Sequence, residues 1–339
     1  MFTKKSCFNR NNKRKKKKIL FLLNTNSYSG AENVVIQIIE NIKDINVGMV
    51  YVSKEGPIRK YLENKKIHFV PIKSMDPIQI RKVICQEKPD IIALQEVNQS
   101  INAPIAEQKL LKGYVYCDNN GIPIKQDNHA AQVAFRLHEY GIHCSWTWIS
   151  AKIGYDIYDE GIAILCLNGE ITATENFFIS GCQNYHYWKT RKVLGVQISG
   201  CEHWFYTVHM GWWKDEEEPF LMQWKRFENT LKKHHNTTIW IMGDFNSPAE
   251  TKEQGYDTIK NAGWYDTYCI AEQKDAGITV EGSIDGWKDS KHNEQNLKGM
   301  RMDHIWCSQS MPIKYSHVMF NGTNQPKVSD HFGVCIETK

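Results

Sequence analysis

The sequence predicts an α/β protein organised around several buried strands. Short apolar runs with β-branched and aromatic residues alternate with segments of helical periodicity along the 339 residues. The central run, residues 239–242, is typical of a buried strand, and it is followed by Gly243, Asp244 and Asn246. A chain of this length can bury a large core, in one large domain or in two.

Charge is unevenly distributed along the chain. The formal net charge is +4, but residues 1–18 carry nine Lys or Arg and no acid, which leaves −5 on residues 19–339. A mildly acidic body argues against a broad nucleic-acid footprint. We expect residues 1–18 to form a basic, disordered tail.

The sequence predicts a cytoplasmic protein without a membrane partner. No stretch reaches the roughly 18 apolar residues that a membrane-spanning helix requires. The apolar run after the basic tail covers only residues 19–23 and lacks the small-residue cleavage site of a signal peptide. The ten cysteines include no C-x-x-C pair, and we interpret them as buried, reduced thiols rather than disulfides or zinc ligands.

The pattern of residues 19–75 predicts a βαβ segment that differs from the rest of the chain. Its elements are a strand, a helix and two further strands, at 19–23, 31–42, 47–52 and 67–70. The segment, notably Ser29-Gly30-Ala31-Glu32-Asn33, resembles the start of retaining glycosyltransferases with two Rossmann-like domains. Nothing later resembles the sugar-nucleotide-binding half of such enzymes, so glycosyl transfer is not expected. The predicted organisation is a tail at 1–18, this segment at 19–75 and a main domain at 76–339.

The main domain is predicted to contain both helices and strands. Helical periodicity predicts helices at 78–86, 128–140 (capped by Asp127), 219–235 and 249–262. Apolar or alternating runs predict strands at 89–97, 145–149, 161–165, 193–198, 204–209, 239–242, 300–306 and 328–336. Residues 98–128 and 275–299 are predicted to be loops.

Polar residues close many of these strands. They are acids, an amide, histidines and arginines: Glu96, Asp244, Asp303, Asp330, Asn246, His209, His331, Arg191 and Arg301. Each alone fits an ordinary strand terminus, but together they form an oxygen-rich set without thiolates, which suits Mg²⁺ or Mn²⁺. Histidines and an amide beside such an ion suit a phosphate ester, because they can bind its oxygens, orient a water and protonate the leaving oxygen.

The run Ser329-Asp330-His331 offers a competing interpretation, a Ser/His/Asp hydrolase. We reject it because the chain has no G-x-S-x-G elbow. In addition, adjacent Asp and His side chains on a strand point to opposite faces.

The same residues carry a resemblance to the endonuclease/exonuclease/phosphatase superfamily. The family's motifs are matched in order by Leu94-Gln95-Glu96, His209, Gly243-Asp244-Phe245-Asn246, Arg301-Met302-Asp303 and Ser329-Asp330-His331. The resemblance covers residues 76–339 and implies a four-layer α/β sandwich of two mixed β-sheets flanked by helices. It also implies a Mg²⁺- or Mn²⁺-dependent hydrolase of phosphate esters.

The resemblance implies a catalytic role for several residues. Asp244 would orient or deprotonate the attacking water, while Asn246 and His209 would hold phosphate oxygens. His331 would bind phosphate or act as an acid or base, and Asp303 would orient it. Arg191 would supply a cation on the substrate side.

The resemblance also implies a metal site built on Glu96, with Asp330 close to the ion. Family members begin with a strand that ends in a further Asn ligand, and residues 19–23 followed by Asn24 are similar to that strand. In a Rossmann-type strand order the first and fourth strands are neighbours, which would place Asn24 beside Glu96. The C-terminal strand, however, normally flanks the same first strand. We predict that Asn24 supplies the missing ligand.

Aromatic blocks near the predicted site narrow the expected substrate. Segments around Trp146, Tyr155 and Trp212 look most like a bacterial branch that includes maltose-6′-phosphate phosphatase. We therefore predict a phosphomonoesterase for a small sugar phosphate, with Tyr155 and Trp212 contacting the substrate. The alternatives are a Mg²⁺-dependent nuclease or other phosphodiesterase, for which a basic groove would be expected, and an inactive chimera with a binding role only.

Overall fold

The structure, a computed structural model, describes residues 18–23, 89–118, 121–281, 299–323, 325 and 329–339. For residues 18–23 it describes the backbone strand alone. The predicted tail up to residue 17, the predicted elements between residues 24 and 75 and the predicted helix at 78–86 lie outside the described residues. The candidate ligand Asn24 lies outside them as well.

The described elements are mainly strands. In chain order they are β1 (Lys18–Leu23), β2 (Ile91–Ser100), β3 (Ser145–Gly154), β4 (Tyr158–Cys166), β5 (Ile171–Phe178), β6 (Lys192–Ile198), β7 (Cys201–His209), β8 (Ile239–Asp244), β9 (Tyr265–Asp266), β10 (Gln273–Lys274), β11 (Asp303–Cys307), β12 (Ile313–Met319) and β13 (Gly333–Thr338). The helices are α1 (His129–Glu139), α2 (Phe220–Leu231), α3 (Gly255–Asn261) and α4 (Thr267–Ile270), with 3₁₀ turns at Gln108–Leu111 and Lys232–His234.

These strands form two mixed sheets. Over the described ranges, the first sheet has seven strands in the order β10-β12-β13-β1-β2-β4-β3, and the second has six in the order β5-β6-β7-β8-β11-β9. In the first sheet, β1 pairs in parallel with β2 and antiparallel with β13. The sequence predicted two neighbours for residues 19–23, the Glu96 strand and the C-terminal strand. Strand β1 has both, because β2 lies along one of its edges and β13 along the other.

The two sheets pack face to face with helices outside, as the sequence predicted. Alternate residues of one strand face opposite ways: Ile91 and Ala93 of β2 join the core between the sheets, whereas Ile92 and Leu94 face α1. On the far side, α2 and α3 cover the second sheet through a cluster rich in aromatic side chains. The result is a four-layer sandwich. Among the described helices, none has the length and apolar content to span a membrane.

Several predicted boundaries differ from the structure. The cap of α1 is Asn128, whose side chain accepts the N–H of Ala131 at 3.0 Å, whereas Asp127 accepts the N–H of Ser100. The helix predicted from residue 249 begins only at Gly255, after Glu253 adopts a left-handed φ of 57°. The strand predicted to end at residue 97 continues to Ser100 as an antiparallel partner of β4.

A buried hydrogen bond joins the two sheets beneath the strand ends. The Gln95 side-chain amide on β2 donates to the Thr207 hydroxyl on β7 at 2.5 Å, and both residues are fully buried. These two residues lie next to Glu96 and two positions before His209, respectively. The bond therefore fixes the separation of two candidate site residues that belong to different sheets.

We predict that Thr207→Val destabilises the protein by about 1–3 kcal/mol, because the buried Gln95 amide loses its partner while the shape of the side chain is kept. Urea unfolding measures the change. The double variant Gln95→Leu/Thr207→Val is the control, since it removes both polar groups and should recover most of the loss. A single variant as stable as the wild type would contradict the role of this bond.

Candidate active site

Strand register brings three predicted residues to one edge of the second sheet. Asp244 at the end of β8 is paired with His209 at the end of β7 and with Asp303 at the start of β11. Paired residues of neighbouring strands project from the same face. That face is the one between the sheets, because Trp240 and Met242, which precede Asp244 at even spacing, lie in the inter-sheet core.

The turn after β8 is shaped by a close approach and by left-handed backbone. A Cβ at Gly243, where φ is 153°, would lie 2.0 Å from the Val208 carbonyl oxygen of β7, so only glycine fits. Asn246 follows with φ 46°, and its backbone N–H donates to Asp244 Oδ1 at 2.7 Å. The Asn246 amide also donates to Asp244 Oδ2 and to the Met210 carbonyl, each at 3.0 Å. Asn246 therefore orients Asp244 in this state.

His331 lies against Asp303. Its Nδ1 is 3.0 Å from Asp303 Oδ2, and ligand atoms of His331, Asp303 and Asp244 all lie within 4.8 Å of one another. Thr279 supports this arrangement: its hydroxyl accepts the backbone N–H of Asp303 at 3.1 Å, and its carbonyl accepts the N–H of Phe332 at 2.7 Å. Asp244, Asp303 and His331 form a buried group that could bind a metal ion or transfer protons.

Burial and mutual charge set the protonation of this group. Burial alone would lower the pKa of His331, but the charges of Asp303 and Asp244 and the hydrogen bond to Asp303 raise it to about 10. Burial raises the pKa of Asp244 to about 7, against the charge of His331. Burial, followed by the charges of Arg191 and Lys152, holds the pKa of His209 well below its ordinary value. At neutral pH, His331 is therefore a cation and His209 is neutral.

Glu96 reaches the site through a β-bulge. The pairing of β2 with β4 shifts between Leu94 and Val97, and Glu96 has a left-handed φ of 51°. Leu94 and Val97 both pack on the side of the sheet that faces α1, although regular alternation would place them on opposite faces. The bulge inserts one residue between them, so Glu96 does not point toward α1 as they do. Burial and the charge of Glu160, then that of Asp330, raise the pKa of Glu96 to about 8.

Two buried cations accompany these acids. Arg191 Nη1 and Lys152 Nζ each donate to the carbonyl of Trp188 at 2.9 Å. Lys152 Nζ also lies 3.0 Å from Glu160 Oε1. Burial lowers the pKa of Arg191, while the charges of Glu160, Glu96 and Asp244 act in the opposite direction. Arg191 thus lies among the site carboxylates.

Arg301 does not join this group, which corrects its assignment to the site's cations. Its Nη1 donates to Asp266 Oδ2 at 2.7 Å, and its guanidinium lies over the ring of Tyr268 at 4.5 Å. Burial alone would lower the pKa of Arg301. The charge of Asp266 and the hydrogen bonds of Arg301 to Tyr256 and Asp266 raise this pKa instead. Arg301 therefore anchors the chain just before Asp303.

The remaining predicted residues differ in exposure and in partners. Tyr155 is 75% exposed in the turn between β3 and β4, and Trp212 is 37% exposed. The Ser329 hydroxyl donates to Asp330 Oδ1 at 3.1 Å and accepts the N–H of His331. The His331 ring pairs with Asp303 rather than with its chain neighbour Asp330, in agreement with the rejection of a Ser/His/Asp hydrolase.

Sequence reasoning missed three contributors. Glu160 and Lys152 are paired across β3 and β4, and Thr279 lies in a segment read as a loop. An acid directly before a buried strand is a weak signal, because surface strands often begin that way. Thr279 has no signal of its own, since its role depends on two segments that are distant in sequence.

We predict that the metal-free protein loses stability as pH rises from about 6.5 to 10. His331 holds its proton in the folded state up to a pKa of about 10, whereas its ordinary value is 6.5, so the folded state binds more protons in this range. Asp303→Asn should flatten the slope, because the main charge that raises this pKa is removed. Urea unfolding at pH 6 and pH 9 measures it, with His331→Gln as the control. Equal slopes in wild type and Asp303→Asn would contradict the assignment.

Comparison with known proteins agrees with this geometry. A sequence model of the Endonuclease/Exonuclease/phosphatase family matches residues 72–331. A family protein from Leptotrichia buccalis C-1013-b is 25% identical, with a TM-score of 0.67 over 95% of this chain and 99% of its own. A mannosyl-6-phosphatase from Bacteroides thetaiotaomicron is 17% identical, with a TM-score of 0.52 over 78% and 90% of the two chains.

A further family protein, from Beutenbergia cavernae, is 13% identical, with a TM-score of 0.54 over 96% of this chain and 72% of its own. No curated protein matches the chain. The family match nevertheless extends over most of the sequence and includes the strand-end residues described above. The chain belongs to the Endonuclease/Exonuclease/phosphatase family, whose members are metal-dependent hydrolases of phosphate esters.

Proposed function

We propose that this protein is a Mg²⁺-dependent phosphomonoesterase for a small sugar phosphate. The observation that carries the proposal is the buried group of Asp244, Asp303 and His331, whose ligand atoms lie within 4.8 Å of one another beside Glu96. Buried acids with raised pKa values are typical of catalytic sites. The family supplies the reaction class, and the surroundings of the group supply the preference for a monoester.

The carboxylates around Glu96 fit a hard divalent ion. Burial and the charges of Glu160 and Asp330 raise the pKa of Glu96, against the charges of Lys152 and His331, so these acids repel one another. Oxygen ligands of this kind prefer Mg²⁺ or Mn²⁺. Glu96 and Asp330 would hold the ion, which when bound neutralises phosphate oxygens. Protonated His331 has no free lone pair for a metal, so we assign it to acid–base chemistry instead.

The other residues divide the remaining work. Asp244, with a pKa of about 7, can take the proton of an attacking water near neutral pH. Neutral His209, with its Nε2 3.6 Å from Asp244 Oδ2, can donate to a phosphate oxygen. The Asn246 amide donates to Asp244 and to the Met210 carbonyl, so we assign it to orienting the base instead. His331, kept protonated by Asp303, can donate to a phosphate oxygen or protonate the leaving oxygen.

The sugar end of the substrate would meet the aromatic rim. Tyr155 and Trp212 are exposed, and aromatic faces pack well against sugar rings. Arg191 supplies a buried cation on the substrate side of the site. That a mannosyl-6-phosphatase has the same fold is consistent with a sugar phosphate, as is the acidic body of the chain.

A nuclease or other phosphodiesterase remains the second candidate, because the family includes both classes. It would need a basic groove beside the site. The third candidate is an inactive chimera that only binds, since the glycosyltransferase-like segment stands where the family's opening strand is expected. The pairing of β1 between β2 and β13 favours an intact site over this third candidate.

We predict Mg²⁺-dependent release of phosphate from maltose 6′-phosphate or glucose 6-phosphate, and a loss of about 100-fold or more in Asp244→Asn because the base for the water is removed. Phosphate release during a Mg²⁺ titration measures this, with plasmid DNA as a parallel substrate. The matched control is Glu139→Gln on α1, an exposed acid paired with Arg136 on the outer face.

Each result of that experiment has a distinct meaning. Plasmid cleavage without phosphate release would move the assignment to a nuclease. An Asp244→Asn variant as active as the wild type would contradict the role of Asp244. No phosphate release and no plasmid cleavage would favour the inactive chimera.

We further propose that Asn24 completes the metal site. Leu23, the last residue of β1, is in register with Gln95, which directly precedes Glu96. Asn24→Ala should raise the Mn²⁺ dissociation constant by about tenfold or more, since even outer partners of a metal site cost that much. Mn²⁺ titration followed by electron paramagnetic resonance measures it, with Asn26→Ala as the control. A Mn²⁺ affinity of Asn24→Ala equal to that of Asn26→Ala would exclude Asn24 as a metal ligand.

A further inference from the structure

Lys152 and Arg191 form a pair of buried cations at the site, and the roles assigned above include Arg191 as a substrate-side cation but leave Lys152 unexplained. Both residues are only 9% exposed. Lys152 Nζ and Arg191 Nη1 donate to one and the same oxygen, the carbonyl of Trp188, at 2.9 Å each. Two positive charges on one acceptor repel each other, so a compensating negative charge must be close.

The carboxylates that compensate the pair include Glu96, the proposed metal ligand. Lys152 Nζ lies 3.0 Å from Glu160 Oε1, and the charges of Glu96 and Asp244 act on Arg191. A divalent ion held by Glu96 would use that negative charge. With the ion in place, Glu96 would be engaged by the metal, and Lys152 and Arg191 could pair with an incoming anion instead.

Arg191 also has an unused donor. Its Nε is buried and has no hydrogen-bond partner among the described residues. A buried N–H without a partner costs about 1–3 kcal/mol, so such a group is expected to meet a ligand. The guanidinium fork matches the oxygens of a phosphate, and a lysine adds a point charge beside it.

We propose that Lys152 and Arg191 form a subsite for the terminal oxygens of a phosphate monoester, and that this subsite selects monoesters over diesters. A monoester dianion brings one more negative charge than a diester, and it has a free oxygen where the diester carries a second organic group. Buried charged donors favour the dianion most strongly. This inference rests on the proposed phosphatase function and extends it to Lys152.

The test compares Lys152→Met with Lys152→Arg, which keeps the charge, in the full-length protein with Mg²⁺. Lys125→Met is the matched control, because Lys125 is also 9% exposed and its Nζ lies 3.1 Å from Asp159 Oδ2, outside the site. Binding of inorganic phosphate is measured by calorimetry. KM and kcat are measured with p-nitrophenyl phosphate and with bis(p-nitrophenyl) phosphate, and thermal unfolding shows that each variant folds.

Lys152→Met should weaken phosphate binding and raise KM for the monoester by about tenfold or more, the effect of losing one charge-assisted hydrogen bond. The diester parameters should change far less, and Lys152→Arg and Lys125→Met should bind phosphate nearly as the wild type does. Unchanged phosphate binding in a folded Lys152→Met, or a parallel loss on monoester and diester, would overturn the subsite. If Lys152→Met does not fold, Lys152→Gln replaces it in the same comparison.

The subsite and the proposed function fail in different ways. Phosphate binding that depends on Lys152 without turnover of any monoester would support the subsite and reject the phosphatase. Turnover of monoesters with phosphate binding independent of Lys152 would support the phosphatase and reject the subsite.

Discussion

The register between β8 and β11 is the constraint on which the site depends. It pairs Asp244 with Asp303 on the face between the sheets, where two carboxylates share a buried space. Their repulsion is offset by His331, which keeps its proton because both acids surround it. A shift of one residue in either strand would turn its site residue to the opposite face. The register that packs the core therefore also determines the position of the acids.

The site is shared between the two sheets. The second sheet supplies His209, Asp244 and Asp303, and the bulge in β2 of the first sheet supplies Glu96. The hydrogen bond from Gln95 to Thr207 lies directly below and sets the distance between these halves. A site of this kind is rigid because its supports are buried strands rather than loops.

Charge at the site is balanced only approximately without a metal and a substrate. Glu96 and Asp244 have raised pKa values, and Lys152 and Arg191, both bonded to the Trp188 carbonyl, lie among these acids. A divalent ion and a phosphate dianion would satisfy both sets at once. A fixed arrangement of charges of this kind can favour a charged transition state.

The sequence by itself determined the fold class, because apolar periodicity is a local property. The four-layer arrangement and the site residues on β7, β8 and β11 were predicted from strand-end motifs that resemble those of a known family, and motifs of this kind are also local. Only the tertiary structure decided that Arg301 anchors to Asp266, that Glu96 sits on a bulge rather than a strand end, and that Lys152, Glu160 and Thr279 support the site. Each of these depends on contacts between segments far apart in sequence, since the partner of a buried charge is chosen by packing and not by its neighbours along the chain.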